Sequence, residues 1–371
     1  MINPHQIITA KQLIEKIANG DLKDIEWHIK DELKINNTTE FDKLHFKNIT
    51  FEKSVKIGNS TIQYGLFFEN CAFAEPVTIQ RIKCNAYSHN VNIQDCNILF
   101  SNCSGNMVHI CDHCDIYRGV KVINKCVFEC FLVTDTKVDK SSSISVRNSR
   151  ITNILDLSDV NSKIDLDSNE VNKLRVETCV GDFSIIKSTF LDWVQIWNLE
   201  CPIGLIFNYN TFNDTVKISG SRLNALSIIG DTFQKKFNLE NRNTSRGFPT
   251  YLNDLYIREA TFVEVAELDG LGEKIDKIKI PISPKLIGTL KIENWKVGEV
   301  NINGINQNLK LILSQLFMKW VTMVGFTNYS DITFERCAAD NINFKTDINS
   351  KSSIILAHAD LGKTKFIEFD F

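Results

Sequence analysis

The stretch from Phe46 to Phe73 (FKNITFEKSVKIGNSTIQYGLFFENCAF) decides the fold, because it repeats one six-residue pattern three times. The copies FKNITF, IGNSTI and FENCAF share a large apolar residue, any residue, a turn former, a residue that is usually small, any residue, and a second large apolar residue. They start 11 positions apart, at Phe46, Ile57 and Phe68. A regular repeat of this kind is typical of proteins built from stacked units.

The pattern recurs through most of the chain, with many copies 19 to 25 positions apart and others at about half that distance. Further copies are IQDCNI from Ile93, INKCVF from Ile123, VRNSRI from Val146, LDSNEV from Leu166, IIKSTF from Ile185, FNYNTF from Phe207, ISGSRL from Ile218, IIGDTF from Ile228, IREATF from Ile257 and FERCAA from Phe334. These intervals predict short strands in coils of about 20 residues.

Each position of the pattern has a physical role in such a coil. The two large apolar residues point inward and stack on their counterparts about 4.8 Å above and below. The Asn or Asp turns the corner in a left-handed conformation, and the small residue fits where the wall comes closest to the axis. An antiparallel sandwich would need frequent Asn-Gly or Asp-Gly hairpins, which are scarce. The sequence therefore predicts an all-β, right-handed parallel β-helix, or β-solenoid, with an N-terminal capping helix.

The segment ADLGKTKFIEFDF, residues 359–371, shows a five-residue spacing of large residues at Leu361, Phe366 and Phe371, with Ala359 and Thr364 as small partners. This spacing resembles the pentapeptide-repeat proteins, and the resemblance implies a right-handed β-helix. Elsewhere the five-residue register holds for only one or two units. Some members of that family mimic DNA, but an isoelectric point near 6.2 and irregular rungs argue against that role here.

Residues 1–40 are predicted to form a helical cap, and residues 41–371 a β-helix with insertions near 234–256 and 263–287. Thr9 and Gln12 fit a capping box, so a helix is expected over residues 9–19. The repeat is still running at Phe371, which predicts either self-association through an open C-terminal end or a longer protein.

Composition narrows the function classes. A net charge of -3 gives no reason to expect nucleic acid as a partner. The N-terminus does not resemble a secretory signal, and the apolar stretch 309–326 is interrupted by Lys310 and Lys319, so it is interpreted as buried strands and not as a membrane span. Eleven cysteines in a large chain are expected to be reduced, which favours the cytoplasm.

The cysteine cluster raises the alternative of a zinc site, because paired C-x-x-C spacings often hold tetrahedral zinc. The candidate ligands are Cys111, Cys114, Cys126 and Cys130. Cys126 occupies the small-residue position of INKCVF, as Cys71 does in FENCAF, so a ladder of buried thiols explains it without a metal. We therefore expect no metal and no cofactor.

A carbohydrate-active enzyme, either a polysaccharide lyase or a glycoside hydrolase, is the alternative function, because such sites use carboxylates on an outer face. The candidate carboxylates are Asp156, Asp159, Asp165 and Asp167. Strict alternation in WVQIW predicts that Trp193 and Trp197 face outward. Aspartates also serve as turn formers at solenoid corners, so no catalytic residue is assigned.

The preferred hypothesis is a non-enzymatic scaffold or protein-interaction module that presents a rigid β-helical surface. A chain consisting almost wholly of repeats, without a convergent polar motif, motivates it. The predicted partner surfaces are the tryptophan pair Trp193 and Trp197, and the C-terminal residues Phe366 and Phe371.

Overall fold

The computed structural model describes residues 6–18, 26–36, 40–84, 96–139, 142–240, 250–271, 273–281, 285–305, 309–326, 331–346, 353–357, 359–360 and 363–367. The fold is nearly all β and forms a parallel β-solenoid of about 13 turns, as the repeat predicts. The chain divides into two compact units, residues 1–181 and residues 182–371.

Within its described residues, the first unit contains the helix α1, Ala10–Ala18, and 21 strands. The strands are β1 Gln6–Ile8, β2 Trp27–Ile29, β3 Leu33–Asn36, β4 Glu40–Phe41, β5 Leu44–Lys47, β6 Ile49–Phe51, β7 Val55–Gly58, β8 Thr61–Ile62, β9 Leu66–Glu69, β10 Ala72–Phe73, β11 Val77–Gln80, β12 Lys83–Cys84, β13 Ile98–Ser101, β14 Ser104–Cys111, β15 Cys114–Ile116, β16 Val120–Ile123, β17 Val127–Val138, β18 Ser143–Arg147, β19 Arg150–Asn161, β20 Lys163–Asp167 and β21 Glu170–Glu177.

The second unit contains the remaining strands. They are β22 Phe183–Ile186, β23 Thr189–Phe190, β24 Val194–Trp197, β25 Glu200–Cys201, β26 Leu205–Asn208, β27 Thr211–Phe212, β28 Val216–Ser219, β29 Arg222–Ile229, β30 Thr232–Phe233, β31 Phe237–Glu240, β32 Tyr251–Arg258, β33 Thr261–Asp269, β34 Lys274–Pro281, β35 Ile287–Glu293, β36 Lys296–Ile305, β37 Leu309–Ser314, β38 Phe317–Phe326, β39 Asp331–Glu335, β40 Ala338–Thr346, β41 Ser353–Ala357 and β42 Lys363–Ile367.

Successive copies of the repeat stack in register. In the first unit Phe46 pairs with Phe68, and Phe68 with Phe100, along parallel strands. In the second unit Ile185 pairs with Phe207, and Phe207 pairs with Ile228 in the next coil. These side chains are fully buried, so each coil covers the apolar surface that its neighbour exposes.

Stacked phenylalanines fill the interior at the spacing of the coils. The Phe46 and Phe68 ring centroids lie 5.0 Å apart with the planes at 14°, and those of Phe68 and Phe100 lie 5.0 Å apart at 11°. In the second unit Phe212 and Phe233 are stacked at 4.8 Å. These distances match the interstrand spacing of a β-sheet, so in-register stacking brings the rings into contact.

The third residue of the pattern turns the corner. It has a positive φ in every described copy, including residues that rarely adopt this conformation, such as Lys187, Tyr209 and Glu259. Where it is asparagine, the side chains can also bond between coils: Asn70 Nδ2 donates to Asn48 Oδ1 at 2.9 Å. The predicted corner role is therefore confirmed for the described copies.

The fourth residue is buried in every copy. The residues are Ile49, Ser60, Cys71, Cys96, Cys126, Ser149, Asn169, Ser188, Asn210, Ser221, Asp231, Ala260 and Cys337. Many also bond to backbone groups at the corner: Asn210 Nδ2 donates to the Ile185 carbonyl at 2.7 Å, and Asn210 Oδ1 accepts from the Ser188 N–H at 2.8 Å. The fourth position thus favours side chains that can form hydrogen bonds as well as side chains that are small.

Asp231 places a carboxyl group in this buried position, with 0% of its surface exposed. Its oxygens accept hydrogen bonds from the Asn210 backbone N–H and side-chain amide, both at 2.8 Å, and from the Ile229 N–H at 2.9 Å. Burial nevertheless raises the pKa of Asp231 to about 7, because removal from water disfavours the charged form.

The N-terminal helix has the predicted capping box. The Thr9 N–H donates to Gln12 Oε1 at 2.8 Å, and the Gln12 N–H donates to Thr9 Oγ1 at 3.2 Å. Leu13 is fully buried, and Lys16 Nζ lies 5.2 Å from the centre of the Trp27 ring. The helix therefore packs on the first strands of the unit, which is consistent with a cap.

The structure differs from two predicted domain limits. Strands β2 and β3 already belong to the ladder, because Trp27 pairs with Ile49 and Leu33 with Val55, so the solenoid begins before residue 41. The stretch near 263–287 contains β33 and β34, which pair with strands on both sides. It lacks the six-residue corner pattern but keeps alternating buried residues. In the other predicted insertion, residues 241–249 lie outside the described part of the chain.

Candidate functional site

A groove of about 620 Å³ opens on the outer wall of the second unit, across β34, β36, β38 and β40. Its lining is mainly apolar and has a charged rim. The lining residues are Lys274, Asp276, Lys296, Val297, Gly298, Phe317, Met318, Lys319, Ala338 and Asp340. A volume of several hundred cubic ångströms lies in the range that proteins use to bind ligands.

Phe317 is the most exposed large apolar side chain of this region. In the ladder it lies between Lys296 on β36 and Ala338 on β40. The methyl group of Ala338 is too small to cover the ring, and 65% of the surface of Phe317 is exposed. The small neighbour on β40 therefore leaves much of the Phe317 side chain uncovered where it lines the groove.

Gly298 lines the groove together with Phe317. A Cβ atom at Gly298 would lie 2.6 Å from the carbonyl oxygen of Asp276, a distance that requires the backbone to shift. Glycine is therefore required by the close approach of the two coils. The glycine adds no side chain to the groove lining beside Val297 and Met318, which are themselves 2% and 3% exposed.

Trp320 follows on the same strand, on the far side of Lys319. It lies between Glu299 and Asn341 in the ladder, and 58% of its surface is exposed. We call Phe317 and Trp320 the aromatic pair. Two exposed aromatic side chains on one strand expose more apolar surface than the scattered single residues expected on a solenoid wall.

Charged groups in the groove lining and on the strands beneath it are paired with one another. Lys274 Nζ lies 2.5 Å from Asp276 Oδ1, and Lys277 Nζ lies 3.0 Å from Glu299 Oε2. The hydrogen bond from Lys277 lowers the pKa of Glu299. Lys296 and Lys319 are exposed, and no carboxylate within the described ranges lies at ion-pair distance from either amine.

The central strand beneath the groove, β38, has paired neighbours on both sides. Strand β38 pairs in parallel with β36 on one side and with β40 on the other. No free strand edge is therefore offered at this point of the described ladder, and a ligand in the groove must be held by side chains.

Trp193 and Trp197, the tryptophan pair predicted from sequence, do not line the groove. Val194 and Ile196 are fully buried, whereas both tryptophans are only half-buried, so the side chains alternate as the sequence indicates. Phe366 lies in β42, where its backbone pairs with Phe344 of β40, and its side chain is outside the described part of the structure. Phe371 lies outside the described residues altogether.

The four zinc candidates have local contacts to backbone and side-chain groups. Cys126 donates to the Phe100 carbonyl at 3.4 Å, and Cys114 donates to the Cys111 carbonyl at 3.1 Å. Burial raises the pKa of Cys114 to about 11, which disfavours the thiolate that binds metal. Cys130 lies 3.6 Å from the Asn153 amide. Among the described residues, no three His, Cys, Asp or Glu side chains form a metal-binding group.

The candidate carboxylates have local structural partners. Asp156 accepts from Ser158 Oγ at 2.5 Å and lies 3.7 Å from Arg175, which also contacts Glu177. Asp159 has a positive φ and turns a corner. The remaining two lie on β20, where Asp167 Oδ1 accepts from Ser168 Oγ.

Sequence reasoning missed the aromatic pair. The stretch LFMKWVTMV was interpreted as wholly buried, yet Leu316, Met318 and Val321 are the buried members. The available signal for Phe317 was its position two residues before Lys319, because alternate residues of a strand share a face, whereas the exposure of Trp320 departs from that alternation. The groove itself depends on Gly298 and Ala338, which lie in the coils on either side of Phe317 and which only the register brings together.

No helix within the described ranges is both long and apolar enough to cross a membrane. Comparison with known proteins identifies no relative: no protein-family model, no curated protein and no solved structure matches the chain.

Proposed function

We propose that this protein is a non-enzymatic interaction module, and that the wall of its second unit docks a protein partner at the aromatic pair. One observation supports the proposal most strongly: Phe317 lines an apolar groove and is 65% exposed, and Trp320, three residues further along the same strand, is 58% exposed. Burying one such side chain in an interface contributes about 1.5–3 kcal/mol. Aromatic anchors of this kind dominate the energetics of protein interfaces.

The solenoid wall is suited to this role. Main-chain pairing on both sides of β38 fixes the aromatic pair before any partner arrives. A preorganised surface loses little conformational entropy on binding, so more of the contact energy contributes to affinity. Phe317 and Trp320 are consequently better anchors than the same residues would be on a loop.

The finer assignments are also proposals. The six-residue pattern and the spacing of residues 359–371 support a relationship to pentapeptide-repeat proteins. All eleven cysteines are free thiols, which supports a reducing compartment such as the cytoplasm. Self-association through Phe366 and Phe371 stays a prediction, which light scattering on the purified chain tests.

Photo-crosslinking tests the proposed function. Phe317 is replaced by a photoreactive phenylalanine analogue in cells that produce the protein, and Val263, which is 61% exposed on β33, is the matched control position. We expect a protein adduct of defined mass from position 317 and none from position 263. Absence of any protein adduct at 317, together with binding or cleavage of polysaccharides from a mixed panel, would instead support the carbohydrate-active alternative.

A further inference from the structure

The groove beside Phe317 has an apolar floor and a rim with unpaired positive charge. Val297 and Met318 are 2% and 3% exposed and form part of the lining. A floor of this composition offers few hydrogen-bond partners for sugar hydroxyl groups. It favours aliphatic or aromatic side chains, whose burial against carbon is favourable.

The charges at the rim do not balance locally. Lys274 and Asp276 neutralise each other at 2.5 Å, and Lys277 and Glu299 do so at 3.0 Å. Of the remaining lining residues, Lys296 and Lys319 are cationic and Asp340 is anionic. The lining as a whole holds three lysines and two aspartates, a net charge of +1, so an anionic partner is favoured over a cationic one.

The volume also constrains the occupant. About 620 Å³ exceeds what one side chain fills, so an extended segment with more than one apolar residue fits better than a single anchor. Because the strands beneath are paired on both sides, the segment cannot add to the sheet. Recognition therefore depends on side-chain contacts to the aromatic pair and on ion pairs to the lysines.

We infer that the partner docks an extended acidic peptide segment here, in which carboxylates flank large apolar side chains. The apolar side chains pack on the groove floor and on the aromatic pair, while the carboxylates bind Lys296 and Lys319. This inference rests on the proposed function and names the chemistry of its partner. Charge complementarity at the rim contributes mainly to association rate and specificity, and apolar burial supplies most of the affinity.

Selection from a displayed library of random peptides tests the inference with the full chain as bait. The Phe317→Ala variant serves as the counter-selection target. Enriched peptides are then synthesised and titrated by fluorescence anisotropy. We expect an excess of Asp and Glu beside Leu, Phe, Trp or Tyr.

The affinity of these peptides should fall at least about tenfold in Phe317→Ala, and by a similar factor in the double variant Lys296→Glu/Lys319→Glu. The loss caused by the charge reversals should shrink as salt rises, because the lysines are exposed. Val263→Ala and Lys310→Glu alter exposed residues of the same unit away from the groove and should leave binding unchanged. Circular dichroism verifies that each variant is folded.

Two results would overturn the inference, and they differ in what they mean for the proposed function. If binding of the enriched peptides depends on Phe317 but the peptides carry no excess of Asp and Glu, the inference of an acidic partner is wrong. The proposed protein-interaction function would still stand. Failure to enrich any Phe317-dependent peptide would also remove the inference. If a glycan panel then bound in a Phe317-dependent manner, the protein-interaction function would fall with it.

Discussion

Replacing the buried Asp231 by Asn should change how stability depends on pH. The pKa of Asp231 rises from an ordinary value of 3.8 to about 7 in the folded protein, because the group is 0% exposed. Each pKa unit corresponds to about 1.4 kcal/mol, so keeping the carboxylate charged in the folded state costs about 4 kcal/mol. Because the pKa of Asp231 is higher in the folded than in the unfolded protein, its contribution to the free energy of unfolding is fully present below about pH 3.8. That contribution is lost as the pH rises through about 7.

An asparagine side chain fits this position, since Asn169 and Asn210 occupy it in other coils. The amide oxygen can still accept from Asn210, while the Ile229 N–H loses an acceptor at a cost of about 1 kcal/mol at every pH. As the pH rises from 4 to 8, the free energy of unfolding of the Asp231→Asn variant should therefore increase by about 4 kcal/mol relative to that of wild type.

Denaturant unfolding followed by circular dichroism at a series of pH values measures this gain. Asp254→Asn, which changes an exposed aspartate of the same unit, is the matched control and should follow wild type throughout. If the stability difference between Asp231→Asn and wild type stays constant within about 1 kcal/mol from pH 4 to pH 8, burial does not control the ionisation of Asp231.

Other substitutions test separate parts of the structure. Phe212→Ala should cost about 3–5 kcal/mol in denaturant unfolding, whereas Phe317→Ala should stay within about 0.5 kcal/mol of wild type; equal losses would contradict the assignment of inside and outside. Gln12→Ala removes one half of the capping box and should cost about 0.5–1 kcal/mol, detected as earlier loss of amide protection in α1. Gly298→Val should destabilise the protein by about 1–3 kcal/mol and block Phe317-dependent peptide binding; a stable variant that binds normally would refute the close contact. Iodoacetamide should alkylate Cys130 first in the native protein, since it is half-buried and the other ten cysteines are buried; rapid labelling of several thiols in intact mass spectra would refute the thiol ladder.

The sequence predicts the coil well because the coil is built from a local pattern. The third position of each copy must tolerate a positive φ and the fourth must fit a buried corner, and both requirements are visible within six residues. The helix is equally local, since Thr9 and Gln12 are three residues apart. Patterns this short can be recognised in one sequence without knowing which residues lie in the neighbouring coils.

The groove could not be predicted in the same way. It requires Gly298, Phe317 and Ala338 to meet, and they are about 20 residues apart in sequence, one coil from the next. Irregular coil lengths hide which residues are neighbours, because a shift of one residue moves every side chain to the other face. The continuation of the solenoid through 274–281 was missed for a related reason: its strand alternates, but no corner pattern marks it.

The register between β38 and β40 tests the central claim most directly, because it places Phe317 beside Ala338 and so creates the groove. Thr322 pairs with Asn343, and paired residues have Cα atoms close enough for a disulfide. The double variant Thr322→Cys/Asn343→Cys should form that crosslink under mild oxidation, as identified by mass spectrometry of an unreduced digest. Efficient crosslinking in Thr322→Cys/Lys345→Cys, with none in the first variant, would contradict the register and the groove that depends on it.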